Sequence, residues 1–319
     1  MGKIPLVTLI TDFGTADSYV GSMKGVILNI APNAQLVDIT HHIAPQNVRQ
    51  AAYALYTAYP FFPPHAVHLA VVDPGVGSAR RPIALSTPEG AFVGPDNGIF
   101  SYVMAAKKQF FEKTQNPALN VSRKVRGVVG VLGANENEPV EAVVELTDPR
   151  YRLPQVSHTF HGRDIFAPAA AHLATGVPIT DLGPLVRDLV TFPPPRLEIA
   201  AETITGEVLH ADHFGNIVTS IGRLAWGGGE LSLEPAFQEA RGRKQEAGGG
   251  GRTRFEAGDA TIVVGGRKII GVRRTYAEVE PGETLALVGS EGYLEIAVRE
   301  GSAARRLELR PGDTVMVRI

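Results

Sequence analysis

Cysteine is absent from all 319 residues. That excludes disulfides, thiolate nucleophiles, zinc–thiolate sites and iron–sulfur clusters. No apolar run approaches the ~18–20 residues of a membrane-spanning helix. The opening MGKIPLVTLITDF lacks a small-residue cleavage site and leads straight into a strand pattern, so no signal peptide is read. Together these absences point to the cytoplasm. A dominant charge is missing as well: 31 Lys and Arg face 33 Asp and Glu. Neither nucleic acid nor an anionic membrane is therefore expected as a partner.

What is present suits a globular chain of about two domains. The first ~190 residues alternate strand and helix patterns. LVTLIT, AQLVDIT and AVHLAVV read as strands, and RPIALST with AFVG reads as a hairpin. DSYVGSMKGVILNI, NVRQAAYALYTAYPFF, NGIFSYVMAAKK and RDIFAPAAAHLATG read as helices. Such alternation predicts an α/β domain over 1–192 with a mainly parallel central sheet. An irregular surface insertion is expected at about 111–139. Pro193-Pro194-Pro195 marks the boundary. Beyond it come short strand patterns and no helix pattern. A small all-β, barrel-like domain is expected over 197–319. Its Gly- and charge-rich stretch, about 226–258, reads as a mobile loop.

The N-terminal strands each end on an acid: Asp12, Asp38, Asp73 and Asp96. Ligands of open α/β sheets bind outside the carboxyl ends of strands. Singly, each Asp could be a cap or turn former. Together they are expected to converge on one crevice. After Asp73 comes Pro-Gly-Val-Gly, then Arg80-Arg81. Gly75 and Gly77 would let backbone approach a ligand, and Val76 would add an apolar wall. Arg80 returns a positive charge seven residues on. Arg81 reads as structural. His161 precedes a helix and could be a general base or a loop histidine. Arg163 and Asp164 read as a pair within that helix start. Two chemistries fit these residues. One is a metal hydrolase using Asp12, His41, His42, Asp73 and His161, although no compact His pair shares one element. The other is a metal-free crevice for a small organic ligand.

Longer motifs bear on the choice. ITDFGTADSYVGSMKG, DITHHI, VVDPGVGSARRPIA, GPDNGIF, TFHGRDIFAPAAAHLA, DHFGNIVTSI and GYLEIAVREGSAA span nearly the whole chain. In this order they resemble the S-adenosylmethionine hydroxide adenosyltransferases, relatives of the fluorinases and chlorinases. The resemblance implies hydrolysis of S-adenosylmethionine to adenosine and L-methionine, with no metal or other cofactor. It implies an α/β domain, a C-terminal β-barrel and a homotrimer with active sites between subunits. It assigns catalysis to Asp73, Arg80 and His161, with Arg80 facing Asp73 across the water site. Asp12 would hold the ribose hydroxyls, and Phe160 would line the pocket near the reacting carbon. Asp212 would lie near the methionine ammonium, Ser290 at the methionine end, and Asn216 and Tyr276 at the adenine. Glu291 departs from the family pattern. The alternatives are a halogenase of the same family and a non-catalytic S-adenosylmethionine or adenosine binder.

Overall fold

LVTLIT is mostly apolar and carries no charge because its strand is covered on both faces. All six residues of β1 (Leu6–Thr11) are buried. The computed structural model describes residues 3–105, 142–235 and 253–319. The insertion expected at about 111–139 lies outside them. The chain splits into two compact units, Met1–Phe192 and Pro193–Ile319.

In the first unit β1 lies between β2 (Gln35–Thr40) and β3 (Val67–Val71), parallel to both. β3 pairs in parallel with β5 (Gly90–Pro95), and β4 (Pro82–Thr87) joins antiparallel on the far side. β6 (Ala142–Glu145) completes a six-stranded sheet ordered β2-β1-β3-β5-β4-β6. Its character is mainly parallel, and RPIALST and AFVG form the expected hairpin.

Side chains alternate across the sheet. Val7, Leu9, Val67, Leu69 and Val71 pack with Met23 and Ile27 of α1 (Tyr19–Ile30). The same cluster takes Ala169, Ala170 and Ala171 of α4 (Ala167–Ala174). Helix α2 (Val48–Ala58) buries Ala51, Ala52 and Leu55. Of the helix expected at NGIFSYVMAAKK, residues 101–105 are helical (α3), and those after 105 lie outside the described residues.

One buried polar pair carries a measurable consequence. His68 is fully buried; its Nδ1 lies 2.8 Å from Thr8 Oγ1, and its ring stacks on Phe92. Burial pushes its pKa down to about 4. Unfolded, it would titrate near 6.5. Between those values the unfolded chain binds a proton that the native chain refuses. Stability is therefore intact above about pH 6.5 and falls toward pH 4, by about 3 kcal/mol for this group. His68→Phe should lose about 3 kcal/mol less than the parent between pH 7 and pH 4 in urea titrations. Equal losses would exonerate His68.

The second unit is almost all β. Nine strands form one barrel-like sheet, ordered β14 (Arg267–Ile270), β13 (Thr261–Val264), β18 (Thr314–Arg318), β8 (Thr203–Ala211), β9 (Ile217–Gly222), β17 (Tyr293–Val298), β16 (Thr284–Val288) and β15 (Val272–Arg273), with β7 (Leu197–Ile199) on β8. Its core includes Ile204, Ile217, Ile221, Ile262, Ile296 and Val317. Two expectations need correction. A short helix is present: α5 (Ala303–Leu307), where the Ser302 side chain accepts from Arg305 N–H. The stretch 226–258 is also not one loop. β10 (Leu224–Gly227), β11 (Glu230–Leu233) and β12 (Thr253–Glu256) form an antiparallel sheet at its two ends. Gly228-Gly229 is a two-residue hairpin turn, with φ +70° at Gly228. Residues 236–252 lie outside the description.

Candidate active site

β2, β1, β3 and β5 are neighbouring parallel strands, so their carboxyl ends share one sheet edge. That edge carries Asp12, Asp73 and Asp96, whereas Asp38, expected there too, lies within β2 opposite Leu9 of β1. The four do not remain a pool of free charge. Asp38 pairs with Lys24 at 2.6 Å and with His41 at 3.0 Å. Asp96 takes Arg81 at 2.6 Å, and Arg81 also bridges to Asp188. Arg81 is thus structural, as expected. Asp12 accepts from Gln46 N–H at 2.8 Å through Oδ2.

Asp73 is different, because its partner is a buried guanidinium returned by its own loop. Two successive turns follow it. Val76 N–H donates to Asp73 C=O at 3.2 Å, and Ser78 N–H donates to Gly75 C=O at 3.1 Å. They return Arg80 directly onto Asp73. Its Nε lies 2.9 Å from both carboxylate oxygens, and Nη2 donates to Oδ2 as well. This corrects the expectation that the two face each other across a water. A planar guanidinium matches a carboxylate in this way, and seven residues are enough to close the loop. The pair is well buried, with side chains 9% and 6% exposed. Phe166 supports it, its ring 5.1 Å beneath the guanidinium.

Arg80 Nη2 also lies 2.8 Å from His161 Nδ1. A guanidinium has only donors, so Nδ1 must accept. His161 is therefore neutral with its proton on Nε2. Burial and the Arg80 charge both lower its pKa. The segment before it is pinned by Asp164. Ser157 N–H donates to Asp164 at 2.8 Å, and Arg163 pairs with Asp164 at 2.6 Å. Burial would raise the Asp164 pKa, but Arg163 and Ser157 prevail and hold it low. One turn of π-helix, Gly162–Phe166, then leads into α4.

Glycine shapes the contact between these two segments. Gly77 has φ +78°, and a Cβ there would stand 2.6 Å from the His158 carbonyl oxygen. The close approach at Gly77 is thus to the chain that carries His161. A Cβ on Gly75 would meet Arg80 Cγ at 3.3 Å. Val76 is half-buried on the same turn. An aromatic wall stands nearby. Phe160 contacts Phe13 and Tyr19 edge-on, with centroids 5.8 and 5.1 Å away.

The metal-ligand set weighed from sequence does not assemble. His41 is buried between Thr11 Oγ1, 2.9 Å from Nδ1, and Asp38. Among the described residues, no three His, Asp or Glu side chains gather as metal ligands.

The second unit holds a polar group of its own. Asp212 accepts from Asn216 N–H at 2.8 Å and from Asn216 Nδ2 at 2.9 Å. Asn216 Nδ2 lies 3.3 Å from the Tyr276 hydroxyl. Ser290 is exposed at the tip of the β16–β17 hairpin (Thr284–Val288 and Tyr293–Val298) and is not bonded to this group. Glu295 joins it instead. Burial, then the charges of Asp212 and Glu291, push its carboxyl up to about 7.

Residues 7–127 and 126–183 match the SAM hydroxide adenosyltransferase N-terminal domain, and residues 206–316 match the C-terminal domain. The chain belongs to the SAM hydroxide adenosyltransferase family. Among its relatives is an "(R)-S-adenosyl-L-methionine hydrolase" of Salinispora tropica, 38% identical over 99% of each chain. Another of that name, from Thermus thermophilus, is 37% identical over 97% of this chain and 98% of its own. A fluorinase of Actinopolyspora mzabensis is more distant, at 28% over 98% and 97%. A crystal structure from Thermotoga maritima, described as an uncharacterized conserved protein, has TM-score 0.75 and 30% identity. It covers 98% of this chain and all of its own.

In this family member, three side chains beside the expected residues went unread in the sequence. Phe13 and Tyr19 lie far from Phe160 along the chain, and only folding shows that they meet. Glu295 sits in an alternating strand, YLEIAV, where an outward acid is ordinary.

Proposed function

We propose that the protein hydrolyses S-adenosyl-L-methionine to adenosine and L-methionine. Water attacks the ribose 5′-carbon. The new O–C bond forms as the C–S bond breaks, and its electrons leave on sulfur as a neutral thioether. That leaving group needs no protonation and no Lewis acid, so the proposal is metal-independent. The one demand is to orient water and take its proton.

The observation that carries this reading is the buried Asp73–Arg80–His161 chain. Arg80 occupies the His161 Nδ1 lone pair, and the other ring nitrogen bears the proton. His161 Nε2–H is left to hold the water, and Asp73 to accept its proton. A halide brings no proton and would be repelled by Asp73, so the chain suits water better. The hydrolase relatives, at 37–38% identity, also stand above the fluorinase at 28%.

The remaining assignments belong to the same proposal. Asp12 holds the ribose hydroxyls, with Val76 and Phe160 against the nucleoside. Asn216 and Tyr276 take the adenine, Asp212 the ammonium, and Ser290 the methionine end. Residues 1–192 form the catalytic domain and 197–319 the substrate-binding domain. The working assembly is a homotrimer with active sites shared between subunits, in the cytoplasm. No described helix is long and apolar enough to cross a membrane.

Purified protein given S-adenosylmethionine, EDTA and chloride should release equimolar adenosine and methionine. Intact ligand after long incubation would leave only a binding protein. Product lost on chelation would end the metal-independent mechanism, and 5′-chloro-5′-deoxyadenosine would make it a halogenase.

A further inference from the structure

The second unit contains a cavity of about 390 Å³ that shares no residue with the Asp212 group. Three cations line it from three elements: Lys268 on β14 (Arg267–Ile270), Arg273 on β15 (Val272–Arg273) and Arg306 on α5. Bringing like charges into one concavity costs free energy unless an anion joins them. None of the three is in an ion pair among the described residues. Their bonds go to uncharged groups. Arg306 Nη1 donates to the Gly282 carbonyl, and Arg273 Nη2 to the Ile270 carbonyl at 3.4 Å. Carbonyls steer a guanidinium without cancelling its charge. The single carboxylate in the lining, Glu283, is turned to its own loop, where Oε2 accepts from Glu280 N–H at 2.9 Å.

The lining is therefore cationic on a chain whose net charge is -2. It also has an apolar side, from Leu285 at 1% exposure and Ile269 at 8%. The volume falls within the ~300–1,000 Å³ of small-molecule sites. Guanidinium pairs suit phosphate oxygens, and Lys adds a point charge. We propose that this cavity binds a phosphate-bearing small molecule, with the phosphates on Lys268, Arg273 and Arg306. An apolar or aromatic remainder, as in a nucleoside phosphate, lies over Leu285 and Ile269. The site shares no residue with the Asp73–Arg80–His161 group and does not depend on the function proposed above.

Titration calorimetry on the full chain tests it, with ATP, tripolyphosphate, inorganic phosphate and adenosine as probes. ATP should bind, and Lys268→Glu should weaken it at least tenfold. Lys268 is exposed and in no ion pair, so its melting temperature should hold. Glu283→Gln should tighten binding, because it removes the one opposing charge and keeps the oxygen that Glu280 N–H needs. ATP well above tripolyphosphate identifies a nucleotide; parity identifies a polyphosphate. No heat with any phosphate overturns the proposal. So does ATP binding that ignores Lys268→Glu.

Discussion

Asp73→Asn should lower kcat for S-adenosylmethionine hydrolysis roughly a thousandfold. Asn keeps the shape of the side chain and removes its charge. A positioned proton acceptor contributes typically 10²–10⁴-fold, and an amide is no acceptor for water's proton. The change also strands Arg80, whose side chain is 9% exposed and whose guanidinium, among the described residues, otherwise hydrogen-bonds only to His161 Nδ1. Breaking one side of a buried pair costs about 3–5 kcal/mol, so a lower melting temperature is part of the expected result. KM should move far less, because Asp12 and the Asp212 group lie outside the pair. Single-turnover rates, with urea titration alongside, separate the two effects. Retention of more than a tenth of kcat would remove Asp73 from the chemistry. A similar loss in Arg80→Lys would show that the bidentate fork matters as well as the charge.

Legibility from sequence followed physical range. Strand β1 and helix α1 were readable because periodicity is local, and Met23 and Ile27 fall on the expected face. The sheet edge was readable at Asp12, Asp73 and Asp96, because an acid just after a parallel strand must lie at its carboxyl end; Asp38, inside β2, is the exception. What that edge does with the acids was not. Asp96 pairs with Arg81, and Asp38 with Lys24 and His41, all pairings that depend on three-dimensional register. The spacing from Asp73 to Arg80 announced a return of charge but not its closure, since a seven-residue turn can end with or without a water between its ends. Glycine misled twice. Gly228-Gly229 looked like part of a mobile tract and is a tight hairpin turn. Gly77 looked like room for a ligand, and its nearest neighbour is the His158 carbonyl.

That last contact supports the second large effect. Gly77→Ala should cut kcat ten- to a hundredfold although the residue bears no functional group. At φ +78° an alanine is strained by about 1–2 kcal/mol. The new Cβ would also stand 2.6 Å from a backbone oxygen, closer than van der Waals contact allows. Backbone cannot rotate aside as a flexible side chain can, so one of the two segments must move. One carries Asp73 and Arg80, the other His161. Either displacement opens the 2.8 Å contact between Arg80 and His161, and a misplacement near 1 Å can cost about 10²-fold in rate. Gly312→Ala supplies the comparison. Gly312 has φ +94° and nothing within 4 Å of an added Cβ, so it bears strain without collision. Both variants should lose stability, and only Gly77→Ala should lose turnover at saturating substrate. Equal kcat values in the two would mean that the turn does not position the reactive group, and that the glycine serves folding alone.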